Sequence, residues 1–303
     1  MTLSNIQEYL EEEIEDAEEE TFLLYAQPIP SSNLGFIDPK SPSVDVTVAG
    51  RSLTIHQSPG VLASDRAGGT TGAVLWKITP LFANWLASPS NFLFSSSILS
   101  STSAILELGC GISPLNALSL SPRVGSYILT DQTYVAKLIN TNIAENSSTV
   151  NTIARKQHSS KSSQRNNNNN SSSSNITFTP LDWETDLPSA ALIPGSSNDK
   201  SFDAVLACDC VYNYALIPPL VSTCAEACKL RDETESKEGG EAAAAAGQTL
   251  CIVAQQLRND DVFCSWLAAF MEKFRVWRVK GEALPEELRP SAGFVVHVGV
   301  LRE

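Results

Sequence analysis

The stretch Ala104-Ile105-Leu106-Glu107-Leu108-Gly109-Cys110-Gly111-Ile112-Ser113 constrains this chain more than any other. An apolar run meets an acid and then two glycines one position apart. A buried parallel strand ends this way when it turns tightly into a helix. Glycine lets a ligand approach the main chain closely, and a helix start offers unpaired N–H groups. The turn suits a nucleotide-like ligand, with a plain tight turn as the other reading. A dinucleotide fingerprint needs a third glycine where Pro114 stands, so the stretch fits an NAD site poorly. Ile128-Leu129-Thr130-Asp131 is a second short apolar run ending in an acid. Asp131 lies 20 residues beyond Gly111, a spacing that suits a carboxylate accepting ribose hydroxyls at the next strand tip. The alternative for Asp131 is a helix N-cap over 132–142.

The same pattern recurs downstream. Residues 176–181 read as a strand followed by Asp182-Trp183, and residues 201–209 as another that ends in Asp209. A fifth strand is expected over 249–254, and residues 276–280 and 294–301 form a closing pair. Helices are expected over 115–120, 134–143, 217–230 and 262–274, the last with Phe263, Trp266, Leu267 and Phe270 on one side. Near the start, 44–48 and 52–57 alternate around a turn and read as a hairpin with His56 on its solvent face. Strands alternating with helices predict an α/β fold, Rossmann-like, with a mostly parallel sheet and helices on both faces. Ligands then bind at the carboxyl ends of the strands. Glu107 with Gly109, Asp131, Asp182 with Trp183, and Asp209 all fall at such ends.

Composition limits the alternatives. The chain has 303 residues, 43% of them hydrophobic, enough to bury a sizeable core. No apolar run approaches the ~20 residues that span a bilayer, and the start lacks the order of a signal peptide. A cytoplasmic protein is expected, with the nucleus as the alternative. Seven scattered cysteines argue for reduced thiols. Cys208-x-Cys210 and Cys224-x-x-x-Cys228 read as core thiols rather than a zinc site. The net charge is −13, but residues 8–20 hold nine acids and no Lys or Arg. Without them 25 acids face 21 bases, a net of −4. No basic surface for nucleic acid is expected. The acidic start reads as a solvated helix, or as a contact for a basic partner. Residues 1–25 are read as an acidic segment and 26–303 as one domain. Polar low-complexity stretches at 145–175 and 231–247 are expected to be disordered insertions.

Together, Glu107-Leu108-Gly109-Cys110-Gly111, Thr130-Asp131, Leu181-Asp182-Trp183 and Asp209-Cys210-Val211-Tyr212 resemble the motifs of class I S-adenosylmethionine-dependent methyltransferases. They are most similar to the non-SET protein-lysine methyltransferases of the methyltransferase-like branch, and within it to the fungal ribosomal-protein subgroup. Gly72-Ala73-Val74-Leu75-Trp76, upstream of the glycine turn, resembles that branch too. The likeness covers roughly 44–303, and Ser113 stands where the superfamily often has a third glycine.

The resemblance implies a seven-stranded, mostly parallel sheet with the hairpin as an N-terminal addition. It implies S-adenosyl-L-methionine as cofactor and a lysine of a protein as methyl acceptor, with a basic ribosomal protein as the expected partner. A monomer acting without nucleic acid or membrane is expected. By resemblance Gly109, Cys110 and Gly111 pass under the cofactor and Glu107 holds its amino-acid end. Asp131 takes the ribose, Trp183 flanks the adenine, and Trp76 and Cys208 wall the methionine portion. Asp209 and Tyr212 face the methyl-transfer site and orient the amine. A small-molecule methyltransferase and a non-catalytic binding module are the competing readings.

Overall fold

The computed structural model describes residues 3–30, 34–157, 175–195, 201–238 and 248–302. Its strands in chain order are β1 (Leu10–Glu13), β2 (Ser43–Val48), β3 (Arg51–His56), β4 (Ala104–Leu108), β5 (Ser126–Asp131), β6 (Ile176–Pro180), β7 (Ala204–Cys208), β8 (Leu250–Gln256), β9 (Phe274–Val279) and β10 (Phe294–Leu301). Its helices are α1 (Ala17–Tyr25), α2 (Pro59–Leu62), α3 (Ile78–Ala87), α4 (Phe92–Ser95), α5 (Leu115–Leu120), α6 (Ala136–Gln157), α7 (Ile217–Glu238) and α8 (Asp260–Lys273).

Eight strands form one sheet in the order β1-β9-β10-β8-β7-β4-β5-β6. The five strands from β8 to β6 run parallel. β10 returns antiparallel between β8 and β9. Every residue of β4 and β7 is buried, which explains their unbroken apolar runs: both faces of a parallel sheet are covered. Successive side chains alternate between two cores. Ile105, Leu129, Leu206 and Ile252 join one with α3, α5 and α6. Leu106, Ile128, Val205 and Val253 join the other with α7 and α8. The topology is the Rossmann-like, mostly parallel sheet expected, with β2 and β3 pairing apart as the hairpin.

Three expectations are corrected. The sheet has an eighth strand, because part of the acidic start is β1, paired with β9. The run is not a solvated helix over 1–20. Ile6, Leu10, Ile14 and Leu24 are buried, and two of its acids meet arginines: Glu13 pairs with Arg275 and Glu20 with Arg278. Secondly, α6 continues to Gln157, through the first 13 residues of the stretch read as disordered from 145 to 175. Its early turns are fixed by buried Ile139, Asn142, Ile143 and Asn146, and elongation from a formed helix is far easier than nucleation. Residues 158–174 lie outside the described ones. Thirdly, α7 runs on to Glu238, into the second expected insertion, and 239–247 lie outside the described residues.

Cys224, Cys228 and Cys251 are buried free thiols within one hydrophobic core, as expected. Among the described residues no helix is long and apolar enough to cross a membrane.

Candidate functional site

The glycine turn sits at the carboxyl end of β4 under pressure from both sides. Gly109 and Gly111 have φ of +66° and +57°, conformations that L side chains rarely adopt. A Cβ on Gly109 would lie 2.7 Å from Cys210 Sγ and 2.9 Å from the Trp183 ring. A Cβ on Gly111 would lie 2.9 Å from the Gly72 carbonyl oxygen. That oxygen accepts from the Ile112 N–H at 2.9 Å. The upstream loop and the turn are thus laminated backbone to backbone.

Asp131, at the tip of β5, is bound to this turn. Its Oδ2 accepts from the Gly111 N–H at 2.9 Å and its Oδ1 from the Gln132 N–H at 2.7 Å. The following helical turn has Gln132 at its cap position and no side-chain cap. The side chain therefore reaches back across the cleft floor and does not cap a helix. Burial lifts the Asp131 carboxyl to about 6, against the pull of those two N–H groups.

Glu107 is held more tightly still. Oε1 accepts from Asn116 Nδ2 at 2.8 Å and Oε2 from the Tyr127 hydroxyl at 2.6 Å. Burial raises its carboxyl to about 7, although both hydrogen bonds act to lower it. Burial disfavours the charged form, while donors to the carboxylate favour it.

The remaining predicted residues close the cleft. Trp183 follows β6, and its Nε1 is buried without a protein partner. Trp76 Nε1 donates to the Thr71 carbonyl at 3.0 Å, and its ring lies 4.5 Å from Phe36. Cys208 ends β7, where burial raises its thiol well above the usual range. The Tyr212 hydroxyl accepts from Thr71 Oγ1 at 3.1 Å, and the side chain is partly exposed at the mouth. Trp76, Glu107, Gly109, Cys110, Gly111, Asp131, Trp183, Cys208, Asp209 and Tyr212 all line this one cleft, about 890 Å³ including its opening to solvent.

Asp209 lies at the cleft as expected, with a partner that was not expected. Arg258 grips it with both arms: Nη1 to Oδ1 at 2.7 Å and Nη2 to Oδ2 at 2.6 Å. The Gln256 N–H adds a longer contact to Oδ1 at 3.3 Å. Sequence reasoning missed Arg258, Asn116 and Tyr127. The signal for Arg258 was its place just beyond the polar end of β8. Nothing in the spacing marked Asn116 or Tyr127, whose side chains meet Glu107 only through the packing of α5 and β5.

Chemically, the cleft offers a side-chain-free backbone turn, a carboxylate one strand away, indole faces and an indole N–H in need of an acceptor. That set fits a ligand with a diol, an aromatic base and a cationic centre.

Comparison with known proteins gives four matches. Residues 153–234 match the family described as lysine methyltransferase. Over 190 residues the chain is 32% identical to ribosomal lysine N-methyltransferase 5 of Zygosaccharomyces rouxii, covering 57% of this chain and 59% of that protein. It is 29% identical over 272 residues to a Schizosaccharomyces pombe protein named diaminohydroxyphosphoribosylamino-pyrimidine deaminase, covering 89% of this chain and 55% of that one. The chain thus spans less than two thirds of the length of these relatives. Among solved structures, the N-methyltransferase NodS of Bradyrhizobium japonicum, in complex with S-adenosyl-L-homocysteine, aligns with a TM-score of 0.41. It is 10% identical and covers 80% of this chain and 95% of that one. The likeness to lysine methyltransferases read from the motifs is present in the sequence comparisons as well.

Proposed function

We propose that this chain, similar to the lysine methyltransferases in sequence and Rossmann-like in fold, transfers methyl groups from S-adenosyl-L-methionine to a lysine of a ribosomal protein. The observation that carries the reading is convergence: the tips of β4, β5, β6 and β7 bring nine of the ten expected residues, and the upstream loop brings Trp76, to one cleft. Bound there, S-adenosyl-L-methionine supplies an electrophilic methyl on a sulfonium centre. Gly109, Cys110 and Gly111 provide its backbone floor, and Asp131 accepts the ribose hydroxyls. Trp183 flanks the adenine, Glu107 lies at the amino-acid end, and Trp76 and Cys208 wall the methionine portion. An aromatic face near the sulfonium contributes about 0.5–2 kcal/mol, more as water is excluded.

In-line displacement is mostly a matter of positioning. The acceptor amine must be neutral to attack, yet a free lysine titrates near ~10.4. A bare carboxylate beside it would hold it charged. Arg258 neutralises Asp209, so the pair spares the amine that bias. Tyr212, at the mouth, orients the amine with its hydroxyl.

The deaminase name of one relative suggests a second chemistry. Zinc-dependent nucleobase deaminases carry H-x-E and P-C-x-x-C elements, and neither pattern occurs in these 303 residues. Titration calorimetry with S-adenosyl-L-methionine tests the proposal. Saturable binding by the wild type, abolished in Gly109→Arg, is expected. No binding by the wild type removes every methyl-transfer reading. Methyl label found only on metabolites of a cell extract would favour a small-molecule acceptor.

A further inference from the structure

Asp209 has φ +63°, left-handed backbone that is uncommon for a residue with a side chain. Such a conformation persists only where its surroundings over-determine it. Here they do. The Asp209 N–H donates to the Ala254 carbonyl of β8 at 2.7 Å. Its side chain is 2% exposed and held by both arms of Arg258. Arg258 is fixed in turn: Nη2 also donates to Gln256 Oε1 at 3.0 Å, and Nε to the Leu34 carbonyl at 3.1 Å. Its guanidinium carbon lies 5.1 Å from the centre of the Trp76 ring. Gly35, at φ +90°, lies so close over this pair that a Cβ would meet Gln256 Oε1 and Arg258 Nη2. The chain then continues into Phe36, which bridges to Trp76.

Resting on the methyl-transfer reading above, we infer that Arg258 is a positioning residue for that reaction. It locks the Asp209 carboxylate, cancels its charge, and ties the tip of β7 to β8, to the 34–36 segment and to Trp76. The Asp209–Tyr212 loop is thereby held over the cleft. Asp209 then acts through this lock, and the acceptor amine meets Tyr212 and not the carboxylate. A planar fork is needed for two parallel bonds, so lysine cannot replace this arginine. The other titratable groups near the pair are Cys208, Cys210 and Tyr212, which feel the Asp209 charge, and Tyr25 and Asp260 beside Arg258.

The test is a double-mutant cycle of Asp209→Asn, Arg258→Met and the double variant. Asparagine keeps the shape and tolerates the left-handed backbone. Calorimetric affinity for S-adenosyl-L-methionine, kcat and KM for methyl transfer, their pH profile and resistance to denaturant are measured for each. Either single change is expected to lower kcat by about a hundredfold through misplacement, with cofactor affinity little changed. The double variant is expected to lose no more than the worse single. In Arg258→Met the uncovered carboxylate shifts the rising limb of the kcat profile, which reports groups in the enzyme–substrate complex, about one unit towards alkaline pH, and the double variant restores it. A purely structural role would not move that limb. Arg258→Lys is expected to recover little. Near-normal kcat in Arg258→Met with a large loss in Asp209→Asn would overturn the inference, because Asp209 would then meet the amine itself. If Arg258→Met folds poorly, the double variant, with no buried unpaired charge, must be the more stable of the two; the reverse order overturns the lock. A wild type that binds no cofactor would instead defeat the methyl-transfer reading, while the stability cycle still judges the lock.

Discussion

At the scale of single residues, the cleft is made by side chains that have little freedom left. Gly109 is the sharpest case. An alanine there adds a left-handed penalty of about 1–2 kcal/mol and drives a methyl into Cys210 and Trp183. Gly109→Ala is therefore expected to weaken S-adenosyl-L-methionine binding at least about tenfold, since each tenfold is about 1.4 kcal/mol. Unchanged affinity by calorimetry would refute this account of the turn. Glu107 gives a second prediction. Its folded carboxyl is raised to about 7 from an ordinary 4.5, so the folded state keeps a proton that the unfolded chain releases. Stability from this group is full below about pH 4.5 and falls as pH rises towards 7. The swing is on the order of 3 kcal/mol. Glu107→Gln should remove that part of the decline, read from urea unfolding at pH 4.5 and 7.5. An identical decline in wild type and variant would contradict it. At this scale the ten residues read from the sequence reached one cleft because acids and glycines at strand ends are local signals. Arg258 was not read, because its meaning depends on β8 lying beside β7, a contact between residues 49 apart.

At the scale of elements, the hairpin shows how the upstream loop is anchored. The outer edge of β3 meets two asparagines of α6 in place of another strand. Asn142 accepts from the His56 N–H at 2.9 Å and donates to the His56 and Ile112 carbonyls at 3.0 and 2.7 Å. Asn146 accepts from the Thr54 N–H and donates to the Thr54 carbonyl. One buried amide thus ties α6, the hairpin and the end of the glycine turn. Asn142→Ala is expected to lower stability by about 1–3 kcal/mol through unpaired backbone groups. Asn140→Ala, on the exposed side of the same helix and bonded only within it, serves as the control. Equal effects in denaturant unfolding would contradict the anchoring role. Element type was legible wherever a buried strand or an amphipathic helix left its period in the sequence. It was not legible for β1, whose acids suggest solvent until Arg275 of β9 is seen opposite Glu13. Nor was it legible for the second half of α6, where poor helix formers follow a well-anchored start.

At the scale of the whole molecule, the parallel order of β8, β7, β4, β5 and β6 brings distant acids, indoles and glycines to one edge. Alternating strands and helices made that edge predictable. The depth of the acidic start in the sheet was not predictable from its charge. Its pairing with β9 leaves Glu8, Glu11, Glu12, Glu15, Asp16, Glu18 and Glu19 exposed, so the chain carries its excess negative charge on one terminal segment. The central claim is that the cleft delivers a methyl group to a lysine of a ribosomal protein. Incubating the purified chain and labelled S-adenosyl-L-methionine with ribosomal proteins, then mapping the label by mass spectrometry, tests it most directly. The account predicts methyl-lysine on a ribosomal protein, absent with Gly109→Arg. Label on no protein, from a chain that binds the cofactor, would contradict it.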